Sequence, residues 1–147
     1  MRLKEKLLNI CSVILLLAGL VDFMRGVAHT FQVRYSAENL AQIQPTSDSL
    51  VLMGSFGISN FLTSFIYLLI VAKAKKLAPY VLLFIPLSYL LGGYGVFHYQ
   101  HVPMESAFVG QYMMQYYLSI CLVTSLIYFT HRGVFFNLRQ IRNKKSR

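Results

Sequence analysis

The sequence predicts an all-α integral membrane protein, a four-helix bundle whose N- and C-termini both lie in the cytoplasm. The chain of 147 residues is 56% hydrophobic and only 13% charged, whereas a soluble domain of this size needs more charge to cover its surface. The charged residues cluster between four apolar runs, each close to the roughly 20 residues that cross a bilayer. The lysines and arginines lie almost entirely on one side of those runs, which sets the predicted orientation.

The apolar runs form a single domain covering residues 1–147. The predicted spans are, in chain order, residues 7–31, 50–72, 77–101 and 106–129, followed by a basic tail at 131–147. The first run follows a basic start and resembles a signal peptide. It leads into Asp22 and Arg25 rather than a small-residue cleavage site, so we interpret it as a retained span.

A polar segment, residues 32–49, connects the first two spans. Its middle, residues 36–43, is predicted to form a short interfacial helix with Ser36 as its N-cap. Ser47 or Asp48 is predicted to cap the second span, because short oxygen-bearing side chains satisfy the free N–H groups at a helix start.

Glycine and proline positions predict how the second and third spans pack. Gly54 and Gly57 in the second span should allow a close approach of another helix. In the third span, Pro86 should kink the helix and the glycines at 92–95 should loosen its far half.

The orientation follows from the distribution of lysine and arginine. Twelve lie in the N-terminal start, the 73–76 turn and the tail, and outside the spans the opposite side carries only Arg34. The excess predicts cytoplasmic termini and a location in a bacterial or archaeal plasma membrane. The basic tail is expected to contact anionic lipid. The net charge of +9 does not indicate nucleic-acid binding, because the basic residues flank apolar runs.

The first span carries three ionisable residues on one face. Asp22, Arg25 and His29 stand at positions i, i+3 and i+7 of a helix and therefore form one stripe. An ionisable group facing lipid costs at least a few kcal/mol, so the stripe should face the bundle interior. We consider His29 and Asp22 as candidate catalytic acid–base residues and Arg25 as a candidate ligand-binding residue. The alternative is an intrahelical ion pair beside a hydrogen-bonded core histidine.

Polar residues at similar depth on the other spans extend this candidate site. The further candidate ligand-binding residues are Asn60, Tyr94, His98, Glu105, Gln111 and Gln115. Together they predict a polar pocket in the outer half of the bundle that binds a small amphipathic, quinone-like or lipid-like molecule. The alternative is that these side chains only form hydrogen bonds between the helices. The protein would then be a non-catalytic accessory protein that pairs with another membrane protein or with its own copies.

Cofactors are only weakly indicated. His29 facing His98 would suit bis-histidine haem ligation, and the aromatic residues would surround a quinone. No tight metal-ligand spacing such as HExxH occurs in the sequence, so no metal site is predicted. Cys11 and Cys121 fall inside apolar runs and are interpreted as small packing residues without a disulfide.

The stretch Gly19-Leu-Val-Asp-Phe-Met-Arg-Gly-Val-Ala-His29 resembles the first-helix pattern of DoxX-like small membrane proteins. Those proteins are also four-helix bundles of about this length. The resemblance implies the same layout and a redox or quinone-linked role. His29 stands where that family often has a lysine, and Asn60 stands near a position where its second helix often has a glutamate.

Overall fold

The computed structural model describes residues 2–100 and 109–132 and contains four long helices. They are α1 (Arg2–Phe31), α2 (Ser47–Lys73), α3 (Ala78–Gly93) and α4 (Val109–Arg132). The described residues form no strand. Four helical stretches among them are long and apolar enough to cross a membrane, so the prediction of an all-α protein with four spans is confirmed. The segment 101–108 and the tail beyond residue 132 lie outside the described residues.

The helix starts differ from those predicted by a few residues. α1 begins at Arg2 rather than at residue 7, since the basic start continues the helix. α2 begins at Ser47 and its N-cap is Thr46, whose backbone is extended and whose Oγ1 accepts a hydrogen bond from the Ser49 N–H at 3.3 Å. The prediction of Ser47 or Asp48 as the cap is therefore wrong by one residue, because Thr46 is the last residue outside helical geometry.

The third span changes its hydrogen-bond pattern before it ends. α3 stops at Gly93 and continues as a π-helical segment, Tyr94–Tyr99, so the span is helical throughout Lys75–Tyr99. The change comes directly after Gly92 and Gly93, in the region predicted to be loose. Runs of i→i+5 hydrogen bonds are rare in helices and are often associated with functional sites.

The connection between α1 and α2 folds back over the end of α1. Its Ser36–Ala41 part is π-helical, and the Ser36 hydroxyl donates to the Ala28 carbonyl at 2.9 Å. Ser36 therefore does not cap a helix as predicted, because its hydroxyl is used by the preceding helix. Ser36 and Ala37 are fully buried, and the segment also contacts α4.

α1 is the central helix of the bundle. It packs closely along α2 and also contacts α3 and α4, and α3 in turn packs against α4. α2 and α3 are joined only by the short turn Lys75–Leu77 and make almost no direct contact with each other. A gap therefore separates these two consecutive helices.

Glycine allows the close approach of α1 and α2. A Cβ atom added at Gly57 would collide with Thr30 Oγ1 and lie 3.0 Å from the carbonyl carbon of His29, and one added at Gly26 would lie 2.8 Å from Cδ1 of Phe61. The predicted role of Gly57 is confirmed. The same prediction for Gly54 is wrong, because no atom of the described residues lies within 4 Å of a Cβ added there.

The apolar core occupies the half of the bundle near the α2–α3 turn. Its buried members come from all four helices and include Leu15, Leu82 and Phe129. Cys11 and Cys121 are buried in the same cluster, which confirms their role as packing residues. Polar side chains lie farther along the helices, where this core gives way to a cavity.

Candidate functional site

A cavity of about 250 Å³ lies in the gap between α2 and α3. All four helices contribute to its lining: Asp22 from α1; Asn60, Thr63 and Tyr67 from α2; Val81, Phe84, Ile85, Ser88 and Tyr89 from α3; and Tyr117 from α4. These residues stand near the middle of the four spans. We call this cavity the α2–α3 cleft.

Asp22 is the charged residue in the lining of the cleft. It is only 4% exposed, because α1 is the central helix and this face points inward. Its Oδ1 accepts a hydrogen bond from Arg25 Nη1 at 3.3 Å, and its Oδ2 accepts one from the Tyr117 hydroxyl at 3.2 Å. The predicted pairing of Asp22 with Arg25 is confirmed as an ion pair. Asp22 thus connects the pair to the cleft.

The hydrogen bonds to this carboxylate leave it with unused capacity. Charge-assisted N–H···O bonds usually measure about 2.7–2.9 Å, so the Arg25 contact at 3.3 Å is long. The Arg25 side chain is also 30% exposed and does not line the cleft. An ionised carboxylate can accept about four hydrogen bonds, which leaves room for a further donor.

Two tyrosines extend the polar network away from Asp22. Tyr117 donates its single hydroxyl proton to Asp22 and shares a second side-chain hydrogen bond with Tyr67. The result is a chain from Tyr67 through Tyr117 to Asp22 that joins α2, α4 and α1. Neither tyrosine was predicted as a site residue, because a tyrosine in an apolar helix resembles an ordinary core or interfacial residue.

Asn60 faces the same cleft with an unused polar group. Its Nδ2 atom is buried and has no hydrogen-bond partner among the described residues. A buried polar group without a partner costs about 1–3 kcal/mol, so this amide has hydrogen-bonding capacity that the described residues do not use. Thr63, one turn along α2, also lines the cleft but already donates to the Ser59 carbonyl at 2.9 Å.

His29 lies apart from the cleft. It is seven residues from Asp22, roughly 10 Å along the helix axis, and it does not line the cavity. It is partly buried near the point where Gly57 meets α1. Its Nδ1 is buried without a partner among the described residues. Of the two candidate acid–base residues, Asp22 is therefore the one that faces the cavity.

The other candidate residues do not line the cleft. Tyr94 and His98 are exposed on the π-helical segment, where their rings pack together with centroids 4.8 Å apart. Gln111 is half-buried near the start of α4 and Gln115 is exposed. Glu105 lies outside the described residues. The structure thus brings together Asp22, Arg25 and Asn60 from the predicted set.

Metal ligation finds no support in the part of the chain that the structure describes. Residues 2–100 and 109–132 contain no group of three or more histidine, cysteine, aspartate or glutamate side chains placed to hold an ion. The polar atoms of the cleft are one carboxylate, one amide and several hydroxyl groups. Such a set suits hydrogen bonding to an organic head group.

Comparison of the chain with protein-family models, with curated proteins and with solved structures found no match. The chemistry of the α2–α3 cleft is therefore the basis for a functional proposal.

Proposed function

We propose that this integral membrane protein binds a small amphipathic molecule, quinone-like or lipid-like, in the α2–α3 cleft. The observation that carries the proposal is a buried carboxylate, Asp22, in the lining of a cavity between two helices that hardly touch. A polar head group would lie against Asp22 and Asn60. Its apolar tail would extend between α2 and α3 into the bilayer.

The size and walls of the cleft support this kind of ligand. Its volume of about 250 Å³ is slightly below the roughly 300–1,000 Å³ of pockets that enclose a whole drug-sized ligand. It accommodates a head group while the tail stays in lipid. Val81, Phe84 and Ile85 supply an apolar wall on the α3 side.

The location of Asp22 also supports binding. A carboxylate in the membrane interior is costly, and such residues commonly mark ligand or proton pathways. If proton transfer to a bound head group occurs, we assign it to Asp22, because His29 does not line the cleft.

A second candidate function is a non-catalytic accessory role, in which the polar groups only stabilise the bundle. The Asp22–Arg25 pair within one helix favours this alternative, since it can exist without any ligand. The unpartnered Asn60 Nδ2 favours binding, because interhelical stabilisation alone leaves it unused.

We also propose that both termini face the cytoplasm of a bacterial or archaeal cell and that the basic tail contacts anionic lipid. The support is the twelve-to-one distribution of lysine and arginine across the predicted spans. This orientation leaves the apolar core toward the cytoplasm and the polar network beyond it.

Binding is tested with a single-tryptophan reporter, since the chain contains no tryptophan. Phe84→Trp places the reporter in the cleft lining, and Leu62→Trp places a control on α2 outside it. The two parent residues are 60% and 61% exposed, so both reporters meet lipid to a similar extent. The probe is decylubiquinone, added to protein in phosphatidylcholine nanodiscs.

We expect saturable quenching for Phe84→Trp and a linear, lipid-partitioning response for Leu62→Trp. Adding Thr63→Phe to the cleft reporter should fill the cavity and abolish saturation. Adding Ser59→Phe, one turn away and outside the lining, should not. Identical linear responses from both reporters would contradict the proposed function and favour the accessory role.

A further inference from the structure

We propose that the head group preferred by the α2–α3 cleft is a hydrogen-bond-donating cation, a protonated alkylamine, rather than an anion or a neutral carbonyl compound. This inference rests on the proposed function and narrows its ligand class. It assigns Arg25, a candidate ligand-binding residue from the sequence, to pairing with Asp22 rather than to the ligand.

The charge presented to the cleft is negative. Asp22 lines the cavity, whereas Arg25 and His29 do not. The guanidinium of Arg25 pairs with Asp22 Oδ1 and is partly exposed. A ligand entering between α2 and α3 therefore meets the carboxylate before it meets any cation of the described residues.

The hydrogen-bond count also favours a donor. Asp22 receives two bonds, at 3.3 Å and 3.2 Å, and has capacity for about two more. An ammonium group carries three donors and no acceptor. It can bond to the carboxylate and still donate to a neighbouring oxygen of the lining, such as that of Thr63 or Tyr67.

Asn60 allows two opposite interpretations, and the experiment below separates them. Its unpartnered Nδ2 would suit a ligand carbonyl. The nitrogen and oxygen of an amide are interchangeable by a half-turn of the side chain. That half-turn presents Oδ1 to the cleft and converts the unused donor into an acceptor for an ammonium group. The charge of Asp22 decides in favour of the ammonium, since a bond to a charged group is worth about twice a neutral one.

The aromatic part of the lining adds to the preference for a cation. Tyr67, Phe84, Tyr89 and Tyr117 all contribute to the cavity wall. The faces of aromatic rings attract cations, and the attraction is stronger in sites from which water is excluded. The negative faces of the same rings repel an anion.

The test compares probes that share one tail and differ in head group. Decylamine, a cation at neutral pH, decanol and decanoate are titrated against the Phe84→Trp reporter in nanodiscs of zwitterionic phosphatidylcholine. The Leu62→Trp reporter again corrects for partitioning into lipid. We expect decylamine to bind about tenfold or more tightly than decanol, because both head groups can donate a hydrogen bond to Asp22 but only the ammonium adds an ion pair with it, with decanoate the weakest.

Two variants connect this preference to Asp22. Asp22→Asn should reduce the ratio of decylamine to decanol affinity by most of its value, leaving only the smaller contribution of the aromatic walls. The double variant Asp22→Asn with Arg25→Gln should reduce this ratio equally. It serves as a control, because it leaves no arginine charge without its carboxylate partner. If neither variant folds, the head-group series on the reporter alone decides the question.

The outcomes separate this inference from the proposed function. Saturable binding of decanol or decylubiquinone with no advantage for decylamine would overturn the cation preference and leave the binding proposal intact. A decylamine preference of undiminished size in Asp22→Asn would also overturn it. If none of the probes gives saturable quenching of the Phe84→Trp reporter, both the cation preference and the binding proposal are overturned.

Discussion

Replacing Gly57 with alanine should weaken the contact between α1 and α2 that sets Asp22 and Asn60 facing the same cleft. The added Cβ would collide with Thr30 Oγ1 and would lie 3.0 Å from the carbonyl carbon of His29. Backbone atoms of a central helix cannot move without disturbing its other contacts. Inserting a methyl group into such a site typically costs about 1–3 kcal/mol.

Gly54→Ala is the matched control. Alanine is intrinsically better than glycine in a helix by roughly 0.8–1.0 kcal/mol, and both substitutions receive this benefit. In the part of the chain that the structure describes, no atom lies within 4 Å of a Cβ at Gly54, so this variant receives the benefit alone. The difference in unfolding free energy between the two variants therefore equals the steric cost at Gly57, about 1–3 kcal/mol.

The measurement is equilibrium unfolding in mixed micelles with increasing dodecyl sulfate, followed by circular dichroism. We expect Gly54→Ala to unfold at the same or a higher detergent fraction than the unmodified protein and Gly57→Ala at a lower one than Gly54→Ala. Equal midpoints for the two variants would refute the close approach of α1 and α2 at Gly57.

Two further predictions concern the polar network and the orientation. Tyr117→Phe removes a hydrogen bond to Asp22 and should destabilise the bundle by about 1.5–3 kcal/mol, whereas Tyr116→Phe, at a side chain 73% exposed, should stay within about 0.5 kcal/mol. The same detergent titration measures both, and equal effects would show that the bond to Asp22 is not stabilising. A cysteine replacing Gln42 should react with a membrane-impermeant maleimide added to intact cells, and one replacing Ala74 should not. Cytoplasmic termini place residue 42 outside the cell and residue 74 inside it. The reverse pattern would invert the proposed orientation.

The number of spans and the Asp22–Arg25 pair were predictable because both depend on local sequence. Span length follows from bilayer thickness, and a pairing at i, i+3 follows from helix geometry alone. Gly57 was identified for the same reason, as a small residue in an apolar helix. The sequence did not distinguish Gly54 from Gly57, because only the packing of the two helices separates them. Gly57 meets Thr30 near the end of α1, whereas Gly54 lies one turn farther along α2, beyond the last residue of α1, Phe31.

The cleft itself was not predictable, because it depends on which helices fail to touch. The sequence shows polar residues at similar depth and suggests that all of them face one pocket. The structure separates them, since the π-helical segment leaves Tyr94 and His98 exposed while the middle of α3 contributes Ser88 and Tyr89 to the lining. The polar network through the tyrosines of α2 and α4 likewise requires the packing of three helices.

The most direct test of the account is whether Asp22 can be reached from the bilayer through the α2–α3 cleft. Dicyclohexylcarbodiimide, a lipid-soluble reagent for protonated carboxyl groups, is added to the protein in nanodiscs at mildly acidic pH, and modified peptides are identified by mass spectrometry. The account predicts modification of Asp22, slowed by Thr63→Phe and by excess decylubiquinone but not by Ser59→Phe. Two results would contradict the account. One is that Asp22 stays unmodified while an exposed carboxyl such as Glu38 reacts. The other is that Asp22 reacts equally in the Thr63→Phe and Ser59→Phe variants.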